Sequence, residues 1–385
     1  MNLKIFILLV CASSTTFAQK LENAHKKVDS LFQVQLDQEN VKNSFLKVYS
    51  DKFGINWNYA EGSFTDGTEV TDQTPFLSTS IAKTFTATLI MMLQEEGKLA
   101  VENSISEYLS AEIIDGLHIY QGVDYSKEVT ISQLLQHTSG IPDYFEDAPN
   151  EGPGFMELLF TDSDKMWQPL ETINFAKTKL TPHFAPGYSY HYSDTEYVLL
   201  GLLIEELEGK LLHDVLAEKI FSPLQMKNSY MHLRSKPINN NIGKLAELYV
   251  DDAEISSFKS LSADWAGGGL ATTSQDLLQF HKALNEEVLI TNKSLKQMQE
   301  WIEESYGFEY GYGLRKFELK KLNPLVGNLS LIGHSGTSGA FMYYSPELDV
   351  YLTGTFNQTS YKKKHVIFML QVLEVLKSLS NLKSL

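Results

Sequence analysis

Hydrophobic positions first recur at helical spacing: Val28, Leu31, Phe32 and Leu36 share a face and predict a helix from Leu21 to Glu39. Strand-like runs follow. FLKVYS (45–50) and INWNYA (55–60) flank Asp-Lys-Phe-Gly, which reads as a hairpin. KTFTATLIMMLQEEGKL (83–99) is a strong helical pattern that stops at Gly97. From about 100 to 250 the pattern is helix and loop, clearest in VTISQLLQHTSGIPDY and YVLLGLLIEELEGKLLHDVLAEKIF. Past Gly267–Gly269, a helix (SQDLLQFHKAL) precedes the strand signals GYGLRKFEL, LSLIGHS, AFMYYSP and DVYLTGTFN, and HVIFMLQVLEVLKSL closes the chain as a helix.

Strands at both ends with helices between them predict an α/β (α+β) fold. The antiparallel sheet draws on both ends of the chain, is flanked by the N- and C-terminal helices, and carries an inserted, mostly helical domain. The expected boundaries are 19–100 and 250–385 for the sheet domain and 101–249 for the helical one, with ligands in the cleft between them.

The start of the chain changes the picture of where it works. Lys4, the apolar IFILLVCA and the small residues up to Ala18 read as an export signal cleaved near Ala18, giving a periplasmic or secreted protein. A lipoprotein site at Cys11 competes, although Val10 before it is bulky for such a site. Cys11 is the single cysteine, so a mature chain (19–385) has no disulfide and relies on its core. No later stretch is long and apolar enough for a stable membrane span. The net charge is −16, and loss of Lys4 with the signal makes it −17. That acidity disfavours nucleic acid as a partner. The one basic run, Lys362–Lys364, reads as a solvated edge.

Candidate chemistry begins at Ser80-Ile81-Ala82-Lys83, which opens the strong helix. Three residues apart, the two side chains project from one helical face, within reach of each other. The helix N-terminus also favours negative charge developing on the hydroxyl. Ser-x-x-Lys starts at Ser44, Ser256, Ser360 and Ser380 as well, and an isolated copy is better explained by a capping serine and a solvated lysine. Only Ser80 heads a long apolar helix. Tyr192-Ser193-Asp194 follows a Pro-Gly loop. Asp194 caps the next helix on one reading. On the other, Tyr192 and Asp194 face the cleft, where a nearby Lys83 would lower the phenol's pKa and make it a general base. His334-Ser335-Gly336, in HSGTSG, ends a strand, where Gly336 would leave room for a substrate.

Taken jointly, these three pieces resemble the serine β-lactamase and penicillin-binding protein superfamily. TPFLSTSIAKTFTATLIMMLQEEGKL, ISQLLQHTSGIPDY, FAPGYSYHYSDTEYVLLG, FSPLQMKNSYM, AGGGLATTSQDLLQF and IGHSGTSGAFMYYSP look like family blocks in family order. They are most similar to the class C β-lactamase-like branch, with its D-alanyl-D-alanine carboxypeptidases, D-aminopeptidases and esterases. The resemblance implies Ser80 as acylated nucleophile, Lys83 as its activator and Tyr192 as proton shuttle. It further implies Asp194, His334, Ser335, Gly336 and Thr337 as substrate contacts, with the Ser80 and Thr337 N–H groups as oxyanion hole.

Two residues depart from the family pattern. Asp194 stands where an asparagine is usual and accepts only when ionised, so it would pair with Lys83 or select an amino group instead. His334 replaces the lysine of true β-lactamases and would make the wall pH-sensitive. His137 reads as a structural hydrogen-bond partner. His183 and His191 lack metal-ligand spacing, so neither metal nor cofactor is expected. The expected function is an exported serine hydrolase working through a Ser80 acyl-enzyme, most like a D-alanyl-D-alanine carboxypeptidase or D-amino-acid peptidase. Its partner would be a small molecule or peptide bearing a D-amino acid, ester or β-lactam. Esterase and β-lactamase are the alternatives on the same scaffold, a non-catalytic penicillin or wall-fragment binder is the distant one, and the oligomeric state is left open.

Overall fold

The computed structural model describes residues 2–38 and 40–380, and their side chains except at 2–16, 325 and 380. Lys4 and Cys11 of the expected export segment therefore lie outside the described side chains, and Glu39, the expected end of the first helix, outside the described residues. The helices used below are α1 (Asn2–Leu36), α2 (Ala82–Glu95), α3 (Ile131–Leu135), α4 (Asp194–Glu208), α5 (Trp265–Gly268), α6 (Ser274–Asn285) and α7 (Lys364–Ser380).

Strands β1 (Asn43–Ser50) and β2 (Ile55–Gly62) form the expected hairpin, in register from Asn43↔Gly62 to Ser50↔Ile55. The same sheet takes β3 (Ile302–Ser305), β4 (Phe308–Tyr310), β5 (Arg315–Glu318), β6 (Ser330–Ser335), β7 (Phe341–Ser345) and β8 (Val350–Thr355) from the other end of the chain. Its order is β3-β4-β5-β6-β7-β8-β1-β2, antiparallel throughout, and the two ends of the chain meet where Phe45 pairs with Thr355. The antiparallel sheet expected from the order of strand signals is the one that forms. The segment between β2 and β3 contributes no strand to it.

Strand alternation sends neighbouring side chains to opposite faces, and each face has its own core. Leu46, Val48, Leu331 and Tyr343 pack with Phe32 of α1 and Val372 of α7. Phe45 and Met342 point the other way, into the larger cluster that holds Phe85 of α2 and Tyr197 of α4. Helix α2 is buried along most of its length, and Gly97 beyond its end has φ +70°, a left-handed stop that glycine adopts without penalty. A small sheet of Phe76–Leu77, Leu270–Thr272 and Tyr230–Met231 fixes the approach to α2, with the Ser78 N–H donating to Leu270 O at 2.9 Å. Among the described residues no helix is long and apolar enough to cross a membrane.

Candidate active site

Ser80 sits in a 3-10 turn (Thr79–Ile81) one step before α2. Thr79 has φ +45°, unusual for a β-branched residue, and the turn is held by contact of its hydroxyl with Ser338 Oγ at 3.3 Å. Ser338 in turn donates to Leu77 O at 3.0 Å. The helical spacing read from the sequence puts Lys83 Nζ 3.3 Å from Ser80 Oγ. The other Ser-x-x-Lys copies have no such setting: Ser44 lies within β1, Ser256 heads no long helix, Ser360 precedes α7 but is exposed together with Lys363, and the copy at Ser380 runs out of the described residues.

Lys83 is fully buried, donates to Gly267 O at 3.0 Å and is ion-paired with Asp194. Burial disfavours its charge, but Asp194, with Tyr192 and Asp264 behind it, more than offsets this and holds the ammonium above its ordinary pKa. Asp194 is the first residue of α4, and its carboxylate serves Lys83 rather than capping the helix. Its N–H is satisfied by Asp143 Oδ1 at 3.0 Å. Of the two roles open to an aspartate here, pairing with Lys83 is the one observed. The pair also explains one glycine of AGGGL: a Cβ on Gly267 would stand 2.8 Å from Asp194 Oδ1 and 3.4 Å from Lys83 Nζ.

Tyr192 lines the cleft, its ring 5.0 Å from Lys83 Nζ. The expected lowering of its pKa does not occur. Burial dominates, the Lys83 charge only partly opposes it, Asp194 adds to it, and the phenol is pushed up to about 12. Asp264, unnoticed in the sequence, lines the same cleft, where burial and then the charge of Asp194 push it up to about 7.

On the sheet side, Ser335, Gly336 and Thr337 line the cleft as expected, and His334 does not. Residues 334 and 335 point to opposite faces of β6. His334 is fully buried against the Tyr310 hydroxyl (3.0 Å) and Ser335 O (2.8 Å), with its pKa well below the usual range through burial and then the Arg315 and Lys83 charges. It is therefore a neutral floor residue and not a substrate wall. The wall cation is Arg315. Opposite Gly333 on β5, it shares the face of Ser335, lines the cleft and holds Glu304 through two bonds of 2.7 and 2.8 Å. Only the pairing of β5 with β6 brings it there, so no local pattern announced it. Gly336 also has a different reason from the one expected. A Cβ there would meet Thr79 Oγ1 at 2.0 Å and Ser78 O at 2.3 Å, so its lack of a side chain lets β6 close on the nucleophile turn.

The rest of the rim comes from Phe145, Glu146, Lys362 and Lys363, so the basic run edges the cleft and not merely the solvent. Next to it opens a largely apolar cavity of about 250 Å³ lined by Met156, Phe160, Val250, Ile255 and Phe258, sharing Phe145, Glu146, Asp264, Thr337 and Lys362 with the cleft. His137 is buried against Glu196, the structural role expected of it. His183 and His191, set aside on spacing, converge with Asp147.

The β-lactamase fold is the class that these elements define. The family model described as Beta-lactamase matches residues 42–374, and the chain belongs to that family. Over 309 residues it is 25% identical to Penicillin-binding protein 4* of Bacillus subtilis (strain 168), covering 76% of this chain and 63% of that protein. The chain spans less than two thirds of the length of the curated relatives it matches. Among solved structures it is similar to a D-stereospecific amidohydrolase from Streptomyces sp., at 25% identity and TM-score 0.72, covering 91% of this chain and 97% of that one. The D-amino acid amidase of Ochrobactrum anthropi SV3 shares the fold at 22% identity and TM-score 0.75, over 92% and 99% of the two chains.

Proposed function

We propose that this chain is an exported hydrolase of D-amino-acid amides and peptides, with D-alanyl-D-alanine carboxypeptidase-like cleavage within that class. The observation that carries the reading is the buried Lys83 ammonium 3.3 Å from Ser80 Oγ and paired with Asp194 at a cleft floor. Ser80 Oγ attacks the substrate carbonyl, and the N–H groups of Ser80 and Thr337 receive the oxyanion. Lys83 and Tyr192 both hold their protons before substrate arrives, so no preformed phenolate is available. Lys83 takes the serine proton as it gives one to Asp194. The C–N bond then breaks, Tyr192 delivers a proton to the departing amine and is reprotonated from the same set, and water cleaves the acyl ester.

The lining supports a zwitterionic or amino-bearing substrate: Glu146 and Asp264 suit an ammonium group, and Lys362 and Lys363 a carboxylate. With Asp194 engaged by Lys83, amino-group selection falls to those two acids. The apolar cavity beside the cleft favours esters of apolar acyl groups as the second reading. The test is a panel of D-alanyl-D-alanine peptide, D-phenylalanine amide, a p-nitrophenyl ester and a fluorescent penicillin, run on the mature protein and on Ser80→Ala. Turnover of the amide or peptide, lost in the variant, is expected. Turnover of the ester alone would select the second reading. Rapid penicillin turnover would select a β-lactamase, and no labelling or hydrolysis at all would leave a binding protein.

A further inference from the structure

Away from Ser80, three side chains from three parts of the chain meet around one carboxylate oxygen. His183 Nε2 lies 2.7 Å and His191 Nε2 3.1 Å from Asp147 Oδ2, and one donor atom from each residue falls within 4.8 Å of the others. The two rings lie against each other, centroids 3.6 Å apart and planes tilted by 32°. Surface histidines scatter unless something holds them, and here the backbone does. The His183 N–H donates to Gly140 O at 3.0 Å and the His191 N–H to His137 O at 2.9 Å, while Asp147 Oδ2 accepts the Asp143 N–H at 2.8 Å. The ligand set is thus fixed to one stretch of backbone, 137–143.

Two imidazole nitrogens and a carboxylate oxygen form the donor set that zinc and its neighbours in the first transition row take. The side chains are 36%, 28% and 19% exposed for His183, His191 and Asp147, so water can complete the coordination. Admitting an ion with bonds of roughly 2.0–2.2 Å requires the donor atoms to part by less than about 1 Å. The consequence reaches the catalytic cleft. Asp143 Oδ1 accepts from the N–H groups of Phe145 and Asp194, each at 3.0 Å, and Phe145 and Glu146 form the cleft rim. Asp147 closes that same turn, its N–H donating to Asp143 O at 3.1 Å.

We propose that Asp147, His183 and His191 bind one zinc-class divalent ion, and that the ion pins the 143–147 rim of the cleft. The site is independent of the Ser80 chemistry and supplies no step of it. The test uses the full chain without a polyhistidine tag. Titration with Co2+ is expected to produce a ligand-field absorption band saturating at one equivalent and displaced by Zn2+. His183→Ala and His191→Ala, checked by near-UV circular dichroism for retained fold, should each bind at least about tenfold more weakly. Amide hydrogen exchange at 143–147 should slow with Zn2+ in the unaltered chain only. Absence of saturable Co2+ binding at millimolar metal, or binding unchanged in both folded variants, overturns the site. Binding that leaves exchange at 143–147 unchanged overturns the pinning.

Discussion

The helix edge and the sheet edge of the cleft carry charge in opposite ways. At the helix edge, Lys83 and Asp194 are buried and spend their charge on each other, with Ser80 as the third partner. At the sheet edge, Arg315 is tied to Glu304, the lining side chains at 335–337 are small or absent, and Lys362 and Lys363 stand in solvent. A paired charge out of water acts strongly at short range and is costly to disturb, whereas a solvated one mostly steers and orients. On the proposed function, proton transfer therefore falls to the helix edge, while the sheet edge offers an oxyanion donor and cations that would orient a substrate carboxylate.

The most severe way to break that contrast is Lys83→Met. Acylation by a fluorescent penicillin or turnover of an amide should fall about 10³-fold or more, because the serine loses its proton acceptor. Stability should fall by about 3–5 kcal/mol, since Asp194 is left charged with its partner gone, as read by urea denaturation. An unchanged midpoint would mean that the pair is not the buried device described.

The next largest effect falls where the two edges touch. Gly336→Ala places a methyl group against Thr79 and Ser78, both backbone-anchored beside the nucleophile. A cost of about 1–3 kcal/mol is expected from overpacking. Acylation should slow about 10²-fold from displacement of Ser80, with KM moving less than kcat. A change confined to KM would restore Gly336 to the role of leaving space for substrate.

The same contrast explains what could be read from the amino-acid sequence. Ser80 and Lys83 share a helical face, a property of spacing alone, and the hairpin 45–60 and the apolar periodicity of α2 are equally local. That both ends of the chain share one antiparallel sheet was legible because strand signals sat at both ends of the chain. Arg315 was not, since its place depends on which strand pairs with β6 and in what register. Asp264 and the meeting of Asp147 with His183 and His191 likewise need the folded chain. His334 was misplaced for a subtler reason. Its motif was right, but alternation along β6 gives the cleft to Ser335 and turns the imidazole inward. Tyr192 was placed correctly and its acidity was not, because burial outweighs the cation beside it.

His334→Gln should have the smallest effect on catalysis, and it separates the two edges most finely. A titrating wall histidine would give acylation of carboxylate-bearing substrates a limb near pH ~6.5, removed by the substitution. Burial, and then Arg315 and Lys83, hold the His334 imidazole neutral well below that value, so it changes charge nowhere in the working range. The acylation profile between about pH 5 and 9 should therefore be the same in both proteins. The proton matters for folding instead. Below pH ~6.5 the unfolded chain binds a proton at this position that the native protein refuses, so the native state loses stability as pH falls through that value and below. Glutamine, which can still meet the Tyr310 hydroxyl, removes this contribution. Urea midpoints of the two proteins should converge, or the variant overtake, towards pH 5, while at pH 8 the variant is weaker by about 1 kcal/mol for a poorer hydrogen bond. A catalytic limb that disappears in the variant would return His334 to the substrate wall.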